Sequence, residues 1–376
     1  MINLAVIYGG ESCERDISII TAVQIMGMID RSKYAIYPVL LEADGSMKMI
    51  DSADRISSYI GSTQGKGKQV HFEGKSLIRD KAIRRKVADI DCALLCTHGG
   101  KGESGSLQGL LEMHNIPYTS PNVEVSALCM NKALSKGVFS AFGAEVLPCI
   151  LLNKDGGDNY FTSAYKLGYP LIVKPARQGS SIGISVAKDE QALKEAVEVA
   201  FEFDSEIIIE KALTDYKEIN CACVYSSGEI LASSLERPVS WNEFLTFDDK
   251  YMADGKINAG EREFPAKLPP ETAAAVRDQA VSIYKCLNMR GVVRMDFLID
   301  NTDGKAYINE VNTIPGSLAN YLFKDKGIDG GRLIDIVVSE AIAEYEGRVA
   351  PKFGSGVLAR YSDGGANGCK SGCKRI

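Results

Sequence analysis

The first part of the chain alternates between continuous apolar runs and segments whose apolar residues have helical spacing. The run "NLAVIYGG" predicts a buried strand that ends in a glycine pair, and "DISIITAVQIMGMID" predicts a helix. The run "YAIYPVLLEADG" is again strand-like, and "SLQGLLEMHNIPY" predicts a helix stopped by Pro117. Strand, helix and strand in this order are typical of a parallel α/β unit, which we predict over residues 1–120.

A second unit is predicted over residues 121–214. "SALCMNKALSKGVFSAFG" has the pattern of one continuous helix, and "EQALKEAVEVAFEFD" predicts another. Between them, "YPLIVKPARQGSSIGISVAKD" reads as a strand, a Gly/Ser-rich loop and a second strand.

A third unit is predicted over residues 215–346. "KEINCACVYSSGEILASSLE" predicts a hairpin that turns at Ser227-Gly228, and a helix begins at Pro269-Pro270. Two strand-like runs follow, "VVRMDFLID" and "YINEVN", and then a closing helix, "GRLIDIVVSEAIAEYEGR". Residues 347–376 shift to Gly, Lys and Ser, which predicts a flexible tail.

Composition narrows the class of protein. The 376 residues are 45% hydrophobic and 24% charged, as in soluble globular proteins of two or three packed units. The net charge of −6 argues against a general affinity for nucleic acid or an anionic membrane. The ten cysteines are scattered through apolar segments, which favours reduced thiols and a cytoplasmic enzyme. Cys369 and Cys373 form one C-x3-C pair, which is more typical of a solvated tail than of a zinc site.

The segment "KPARQGSSIG" is a candidate phosphate-binding loop. Lys174 follows an apolar strand and precedes a Gly/Ser hairpin, whose backbone N–H groups can surround phosphate oxygens while the lysine supplies charge. The order differs from a Walker P-loop, in which the lysine follows the glycines and a helix comes next. The alternative is an ordinary turn. No G-x-G-x-x-G follows the first strand, which weakens a dinucleotide-binding interpretation.

Asp296, Glu310 and Asn312 form a candidate metal site. Residues two apart in a strand share a face, so Glu310 and Asn312 project together, and Asp296 can join them from a neighbouring strand. Few carboxylates together with substrate phosphates suit Mg²⁺. The alternative is a solvated strand face. Arg294 shares the face of Asp296, where it can neutralise charge that develops during phosphoryl transfer, form a salt bridge, or do both.

Three polar segments outside these strands are further candidates. In "CERDIS", Glu14 or Asp16 can hold an amine at the end of the first strand or cap the following helix. His98, in "THGGKGESG", stands between an apolar strand and a Gly-rich loop, which favours a pocket over a structural role. Lys250 and Tyr251 lie in a polar segment, which the local sequence predicts to be a surface loop.

Taken together and in this order, the segments resemble the D-alanine–D-alanine ligases of the ATP-grasp superfamily. The resemblance runs from residue 4 to about residue 316 and rests on "GGESCERDIS", "HGGKGESGSLQGLLE", "IPYTSPNVEVSALCMNKALSK", "VKPARQGSSIGIS", "IIIEKAL", "DDKY", "VRMDFLI" and "INEVNTIPG". It implies an α/β (α+β) protein in which an ATP-grasp fold follows a parallel α/β pre-ATP-grasp domain. It also implies a homodimer with small-molecule substrates and with neither nucleic acid nor membrane as a partner.

The resemblance implies roles for individual residues. ATP would be bound by Lys132, Lys174, Ser181, Glu210, Lys211, Leu213, Glu218 and Lys250. Two Mg²⁺ ions, or Mn²⁺, would be held by Asp296, Glu310 and Asn312. Catalysis would involve Glu14, Ser180, Tyr251, Arg294 and Gly316. The amino acids would meet Glu14, His98, Ser317 and Tyr321. Glu218 stands one residue further from Glu210 than the family pattern has it.

The implied reaction joins two D-alanines through an acyl phosphate, for a peptidoglycan precursor. One departure concerns the second substrate: Tyr321 stands where the family usually has a serine that binds its carboxylate, a contact that Ser317 could take instead. A second substrate such as D-serine, D-lactate or another amino acid is therefore the alternative. A further departure is Ser104, where the family commonly has Asp. The competing classes are a non-catalytic nucleotide-binding module and a phosphotransferase that stops at a phosphorylated product.

Overall fold

The first sheet is mixed rather than parallel. The computed structural model of the chain describes residues 1–60, 66–81, 83–156, 160–238 and 262–348. Within these residues the sheet has the order β6-β5-β4-β3-β2-β1-β7. Its strands are β1 Ile2–Gly9, β2 Tyr34–Leu41, β3 Met47–Ile50, β4 Gly67–Glu73, β5 Ser76–Arg79, β6 Arg85–Asp89 and β7 Cys92–Leu95.

Only one end of this sheet, formed by β2, β1 and β7, follows the parallel prediction. Strand β1 pairs in parallel with β2 and β7, whereas β2 through β6 pair antiparallel. Parallel strands need a long crossover, and helix α1 (Arg15–Met28) supplies one between β1 and β2. Short connections, such as Gly74-Lys75 between β4 and β5, join β2 to β3, β4 to β5 and β5 to β6, and such connections permit only antiparallel hairpins. The prediction of a parallel domain was therefore wrong for β3 to β6.

The second sheet carries the strand, loop and strand predicted from the sequence. Its order is β10-β9-β11-β8 and its pairs are antiparallel. The strands are β8 Cys149–Asn153, β9 Leu171–Pro175, β10 Ser185–Ala187 and β11 Glu206–Lys211. The helices between the first sheet and β12 are α2 Gly100–Glu103, α3 Ser106–Met113, α4 Val123–Met130, α5 Lys132–Ala141, α6 Tyr160–Leu167 and α7 Glu190–Ala200.

The single helix predicted over residues 126–143 is two helices. Asn131 separates α4 from α5 with a ψ of 106°, outside the helical region, and its side chain accepts hydrogen bonds from the backbone N–H groups of Ala133 and Leu134. Asparagine is a strong N-cap, so it begins a new helix where the apolar spacing alone would continue the old one. The break sets the direction of α5, which carries Lys132 at its first position.

The third sheet has the order β13-β12-β16-β17, and a small pair, β14 with β15, lies beside it. The predicted hairpin at Ser227-Gly228 joins β12 to β13. The strands are β12 Tyr216–Ser226, β13 Glu229–Ala232, β14 Arg237–Pro238, β15 Arg262–Glu263, β16 Val292–Asp300 and β17 Ala306–Asn312. The helices are α8 Pro270–Cys286 and α9 Gly330–Gly347, and 3-10 segments cover Ile56–Tyr59 and Gly316–Lys326.

Helix α9 packs back on the first sheet. Its buried residues Leu333, Ile334 and Val337 belong to the same hydrophobic core as β1. Asp335, on the same helix, accepts hydrogen bonds from Lys33 Nζ at 2.6 Å and from the Tyr34 hydroxyl at 2.8 Å. The early and late parts of the described chain therefore share one core. In the same described part, every helix is too short or too polar to span a bilayer.

Candidate active site

A cleft opens between the second and third sheets. Its volume is about 820 Å³, counting the space at its open mouth. The residues that line it are Lys132, Ile172, Lys174, Gln178, Gly179, Ser180, Ser181, Ile184, Glu210, Tyr216, Glu218, Asp296, Phe297, Leu298, Asn309 and Glu310. Lysines, carboxylates and a Gly/Ser loop thus surround an apolar slot, which suits a ligand with a flat apolar part and an anionic part.

Strands β16 and β17 bring three predicted metal ligands together. Asp296 pairs directly with Glu310, and Asn312 Nδ2 donates a hydrogen bond of 3.0 Å to Asp296 Oδ2. Arg294, which pairs with Asn312, holds Asp296 through two bonds of 2.7 Å, from Nε and Nη2. The three side chains offer hard oxygen donors, which fit Mg²⁺. Among the described residues, no group of three or more His, Cys, Asp and Glu side chains is placed to hold a metal ion.

A bulge in β17 adds a residue that the sequence did not indicate. Glu310 pairs with Asp296 and Ile308 with Phe297, so Asn309 lies unpaired between them. Strict alternation would turn Asn309 away from the face of Glu310. The bulge breaks this alternation, and Asn309 lines the cleft, where its Oδ1 accepts a hydrogen bond of 3.2 Å from Lys174 Nζ.

Lys132 connects the Gly/Ser loop of the cleft to strand β17, which carries Glu310. It is 8% exposed, its Nζ donates to the Gln178 carbonyl at 2.5 Å, and it lies 3.8 Å from Glu310 Oε2. Burial lowers the pKa of Lys132, and the charge of Glu310 offsets part of that effect. An anionic ligand in the cleft would favour the charged amine further.

Glu210 lies between two lysines at the inner wall of the cleft. Lys174 contacts its Oε1, and Lys136 Nζ lies 2.7 Å from its Oε2. Burial by itself would raise the pKa of Glu210, but the charges of Lys136 and Lys174 outweigh it and lower the pKa to about 2. Lys136 was not among the residues predicted. The available signal was its position four residues after Lys132, on the same helix face.

The pKa of Glu210 predicts a pH-dependent stability. Its value in the folded protein, about 2, lies below the ordinary 4.5, so the ionised carboxylate stabilises the fold above pH 4.5 and this contribution disappears as the pH falls toward 2. We expect the difference in unfolding free energy between wild type and Glu210→Gln, on the order of 3 kcal/mol, to shrink over that window. Urea unfolding at a series of pH values measures it. Glu198→Gln, an exposed carboxylate on α7, should show no such trend.

Glu14 reaches from the loop after β1 to the Gly/Ser loop of the second sheet. The Ser180 hydroxyl donates to Glu14 Oε1. The approach is close enough that a Cβ on Gly179 would lie 2.9 Å from Glu14 Oε2, and one on Gly99 would lie 3.1 Å from it. Ser180 and Ser181 adopt positive φ angles of 52° and 60°, a conformation that costs energy for residues other than glycine. Such strain is typical of loops that are shaped for a ligand.

His98 is buried next to Glu14. Its Nδ1 donates to the Ile314 carbonyl at 2.8 Å, and its Nε2 lies 2.9 Å from the Thr21 hydroxyl. Burial lowers the pKa of His98, and the nearby carboxylates of Glu103 and Glu14 offset part of this effect. The ring is therefore neutral near pH 7 and accepts a hydrogen bond from Thr21. This bonding fixes the ring against the turn that follows β17.

Glu103 is another residue that the sequence did not single out. Its Oε1 accepts hydrogen bonds from the backbone N–H groups of Thr313 and Ile314, at 2.9 and 3.1 Å, and from the Thr313 hydroxyl at 3.0 Å. Its Oε2 accepts from the Gly99 N–H at 2.9 Å. The carboxylate therefore joins the loop of His98 to the turn before Gly316. A single acidic residue at the end of a short helix carries no sequence signal for such a contact.

The two hydroxyl groups that could bind the second substrate's carboxylate, on Tyr321 and Ser317, already donate hydrogen bonds within the protein. The Tyr321 hydroxyl donates to Glu236 Oε2 at 2.8 Å, and the Arg262 guanidinium stacks 4.7 Å from the centre of the tyrosine ring. Burial and the charge of Glu236 raise the pKa of Tyr321. The Ser317 hydroxyl donates to Gln24 Oε1. Neither hydroxyl points unpaired into the cleft.

The remaining predicted residues are placed less centrally. Glu218 lines the cleft with Ser181, whereas the Lys211 amine donates to the carbonyls of Gly168 and Tyr169, at 2.9 and 3.0 Å, away from the cleft. Leu213 is half-buried in the connection between β11 and β12, and Gly316 opens the 3-10 segment after β17. Lys250 and Tyr251 lie outside the described residues, as do Cys369 and Cys373.

Two antiparallel sheets that face each other across such a cleft define an ATP-grasp protein, and solved structures of that fold match the chain. VanG D-Ala:D-Ser ligase from Enterococcus faecalis has a TM-score of 0.79 and 27% identity, and the match covers 90% of this chain and 99% of that one. The D-alanine–D-alanine ligase from Bacillus anthracis complexed with ATP has a TM-score of 0.68 and 28% identity, with 92% and 99% covered.

Sequence comparison identifies the family. The family model described as "D-ala D-ala ligase N-terminus" matches residues 3–121, and the family model described as "D-ala D-ala ligase C-terminus" matches residues 138–339. A relative named D-alanine–D-alanine ligase, from Thermosipho africanus, is 34% identical over 353 residues, which are 92% of this chain and 95% of the relative. The chain belongs to the D-alanine–D-alanine ligase family. The predicted resemblance, the ATP-grasp fold and the class of ATP-dependent ligase are thereby confirmed.

Proposed function

We propose that this enzyme joins two D-alanine molecules at the expense of ATP, to supply a precursor of peptidoglycan. The observation that carries the proposal is that Asp296 and Glu310 line one cleft with Lys132 and Lys174, in a chain of this family, and that Asn312 is hydrogen-bonded to Asp296. The lysines suit the phosphates of ATP, the hard oxygen donors suit a divalent cation, and the apolar slot suits adenine.

The first step forms an acyl phosphate. The carboxylate of one D-alanine attacks the γ-phosphorus of ATP, and ADP leaves. Glu14 would bind the ammonium of that amino acid and Ser180 would hold Glu14 in place, as their hydrogen bond suggests. Lys132 and Lys174 would offset the repulsion between the two anions, and the neutral His98 would line the pocket.

The second step forms the peptide bond. The amine of the second D-alanine attacks the acyl phosphate carbonyl, and inorganic phosphate leaves. Arg294, held by Asp296 beside the metal ligands, would stabilise the negative charge on the tetrahedral carbon's oxygen, together with the backbone of Gly316. A closed site would protect the acyl phosphate from water.

Two Mg²⁺ ions, or Mn²⁺, would be held by Asp296, Glu310 and Asn312. When bound there, such ions neutralise the charge of the ATP phosphates and of the transferring phosphoryl group. For these residues to hold them, the Asn312 amide must turn its oxygen inward and Arg294 must share Asp296 with the metal. We also propose that the enzyme is cytoplasmic, takes only small-molecule substrates and binds neither nucleic acid nor membrane, since the reaction consumes ATP and soluble amino acids. The homodimer is proposed on the family resemblance alone.

A ligase with another second substrate is the second candidate. The engagement of the Tyr321 hydroxyl by Glu236 favours it, because the residue at the family's usual serine position has no free donor for a carboxylate. ADP release should be measured over a panel of D-alanine, D-serine, D-lactate and other amino acids, with the product identified by mass spectrometry. Turnover with D-alanine alone supports the first proposal. Absence of turnover until D-serine or D-lactate is added would replace it with the second.

Tyr321 itself can be tested by removing its hydroxyl. In Tyr321→Phe the ring keeps its stacking on Arg262, and Glu236 keeps Arg262 at 3.1 Å and Asn220 at 3.1 Å. We expect KM for the second substrate to change less than about threefold and stability to fall by about 1 kcal/mol, the contribution of one hydrogen bond. Steady-state kinetics at saturating ATP and thermal unfolding measure the two effects. A tenfold rise in KM would instead assign the hydroxyl to the substrate.

A further inference from the structure

Lys136 is a buried cation to which none of the roles above assigns a task. Its side chain is 1% exposed and belongs to α5, one helical turn after Lys132. It is absent from the lining of the cleft. A lysine in the interior loses the solvation of its charge and is kept only with a partner. Its partner is Glu210, whose side chain is also 1% exposed, at 2.7 Å.

Glu210 divides its two oxygens between Lys136 and Lys174. The pairing of β9 with β11 sets Glu210 opposite Ile172, two residues before Lys174, so the two charged side chains lie on the same face. Lys174 contacts Oε1 from the cleft side, and Lys136 contacts Oε2 from the helix side. The cluster therefore contains two positive charges and one negative charge, and Lys174 and Glu210 line the cleft whereas Lys136 does not.

We propose that Lys136 is a positioning residue for nucleotide binding: it neutralises Glu210 from behind, so that the charge of Lys174 remains available to the phosphates of the nucleotide. The inference rests on the proposed ATP site. Without Lys136, Glu210 and Lys174 form a neutral pair, and the net charge of the cluster falls from +1 to zero. Coulomb attraction to phosphates depends on that net charge, whereas stacking of an adenine ring in the apolar slot does not.

The alternative is that Lys136 only fills space behind the sheet. A packing role would affect every ligand of the cleft alike, because loss of packing disturbs the wall itself. A charge role affects only ligands that carry phosphates. Adenosine and ATP share the base and the ribose and differ in the phosphates, so the ratio of their affinities separates the two explanations.

The test is calorimetric titration of wild type and Lys136→Met with ATP in the presence of Mg²⁺ and, separately, with adenosine. Methionine keeps the length and apolar stem of lysine without its charge. We expect the Kd for ATP to rise about tenfold, equivalent to about 1.4 kcal/mol, while the Kd for adenosine changes less than about twofold. The KM for ATP should rise with its Kd, and the KM for D-alanine should stay within about threefold.

Two controls separate charge from disruption. Lys136→Arg keeps the charge and should recover most of the ATP affinity. Lys194→Met removes an exposed lysine from α7, which packs on the same sheet, and should leave both affinities unchanged. If Lys136→Met does not give folded protein, Lys136→Gln carries the same comparison, because its amide is polar and removes the charge.

The outcomes distinguish this inference from the proposed function. Equal losses for ATP and adenosine, or no loss for either, would overturn the role of Lys136 while the wild type still binds ATP. A wild type that binds no ATP would overturn the proposed function and this inference with it. A selective loss for ATP that Lys136→Arg restores supports both.

Discussion

Glu310→Gln should abolish ligation and leave the fold intact. The substitution keeps the size of the side chain and removes one of the two carboxylates that meet on β16 and β17. The neutral amide binds a divalent cation far more weakly, and the charge of the transferring phosphoryl group is then uncompensated. Loss of such compensation typically lowers kcat by at least about a hundredfold to a thousandfold.

ADP release at saturating D-alanine measures the loss, and far-UV circular dichroism with thermal unfolding checks the fold. Glu229→Gln is the matched control, since Glu229 is an exposed carboxylate of the same sheet, on β13. Undiminished turnover of Glu310→Gln would contradict the assignment of the metal site. An equal loss in Glu229→Gln would point to a general effect on the sheet.

Arg294→Met should lower kcat about a hundredfold or more, the usual effect of removing one donor to a developing oxyanion. The guanidinium forms two bonds to Asp296, so its position is fixed before substrate binds. Arg294→Lys should recover only a small part of the rate, because an ammonium cannot reproduce the planar two-bond contact.

The assay for Arg294 separates its chemical role from a role in binding. We expect the Kd for ATP, measured by calorimetry, to change much less than kcat. Arg277→Met, on α8, removes a charge of the same kind from a partly buried position that no proposed role uses. A loss confined to ATP affinity, with kcat unchanged, would make Arg294 a nucleotide ligand instead of a stabiliser of the intermediate.

Short-range rules were sufficient to predict which side chains of β16 and β17 lie together. Glu310 and Asn312 were expected to share a face because they lie two residues apart in a strand, and Asp296 was expected on the neighbouring strand. The structure pairs Asp296 with Glu310. The same alternation failed at Asn309, because a bulge is decided by the fit between two strands and leaves no pattern in either one.

Contacts between segments that lie far apart in the chain could not be predicted from the sequence. Glu103 contacts Thr313 across 210 residues, and Glu236 contacts Tyr321 across 85. Such pairs depend on how the sheets are placed relative to one another, and the spacing of residues within one segment does not indicate this placement. The break at Asn131 was readable in principle, since asparagine is a known N-cap, but the apolar spacing on both sides of it continued without interruption. The parallel prediction failed only from β3 to β6, because short apolar strands carry no sign of direction.

The return of α9 to the first sheet has a consequence for synthesis on the ribosome. Strand β1 emerges early, yet Leu333, Ile334 and Val337, which help to cover its core, are made some three hundred residues later. Part of the apolar surface of the early sheet therefore stays exposed while the rest of the chain is translated. At about 5–20 residues per second, this takes tens of seconds. During that interval the nascent chain would be a natural client of chaperones that bind apolar segments.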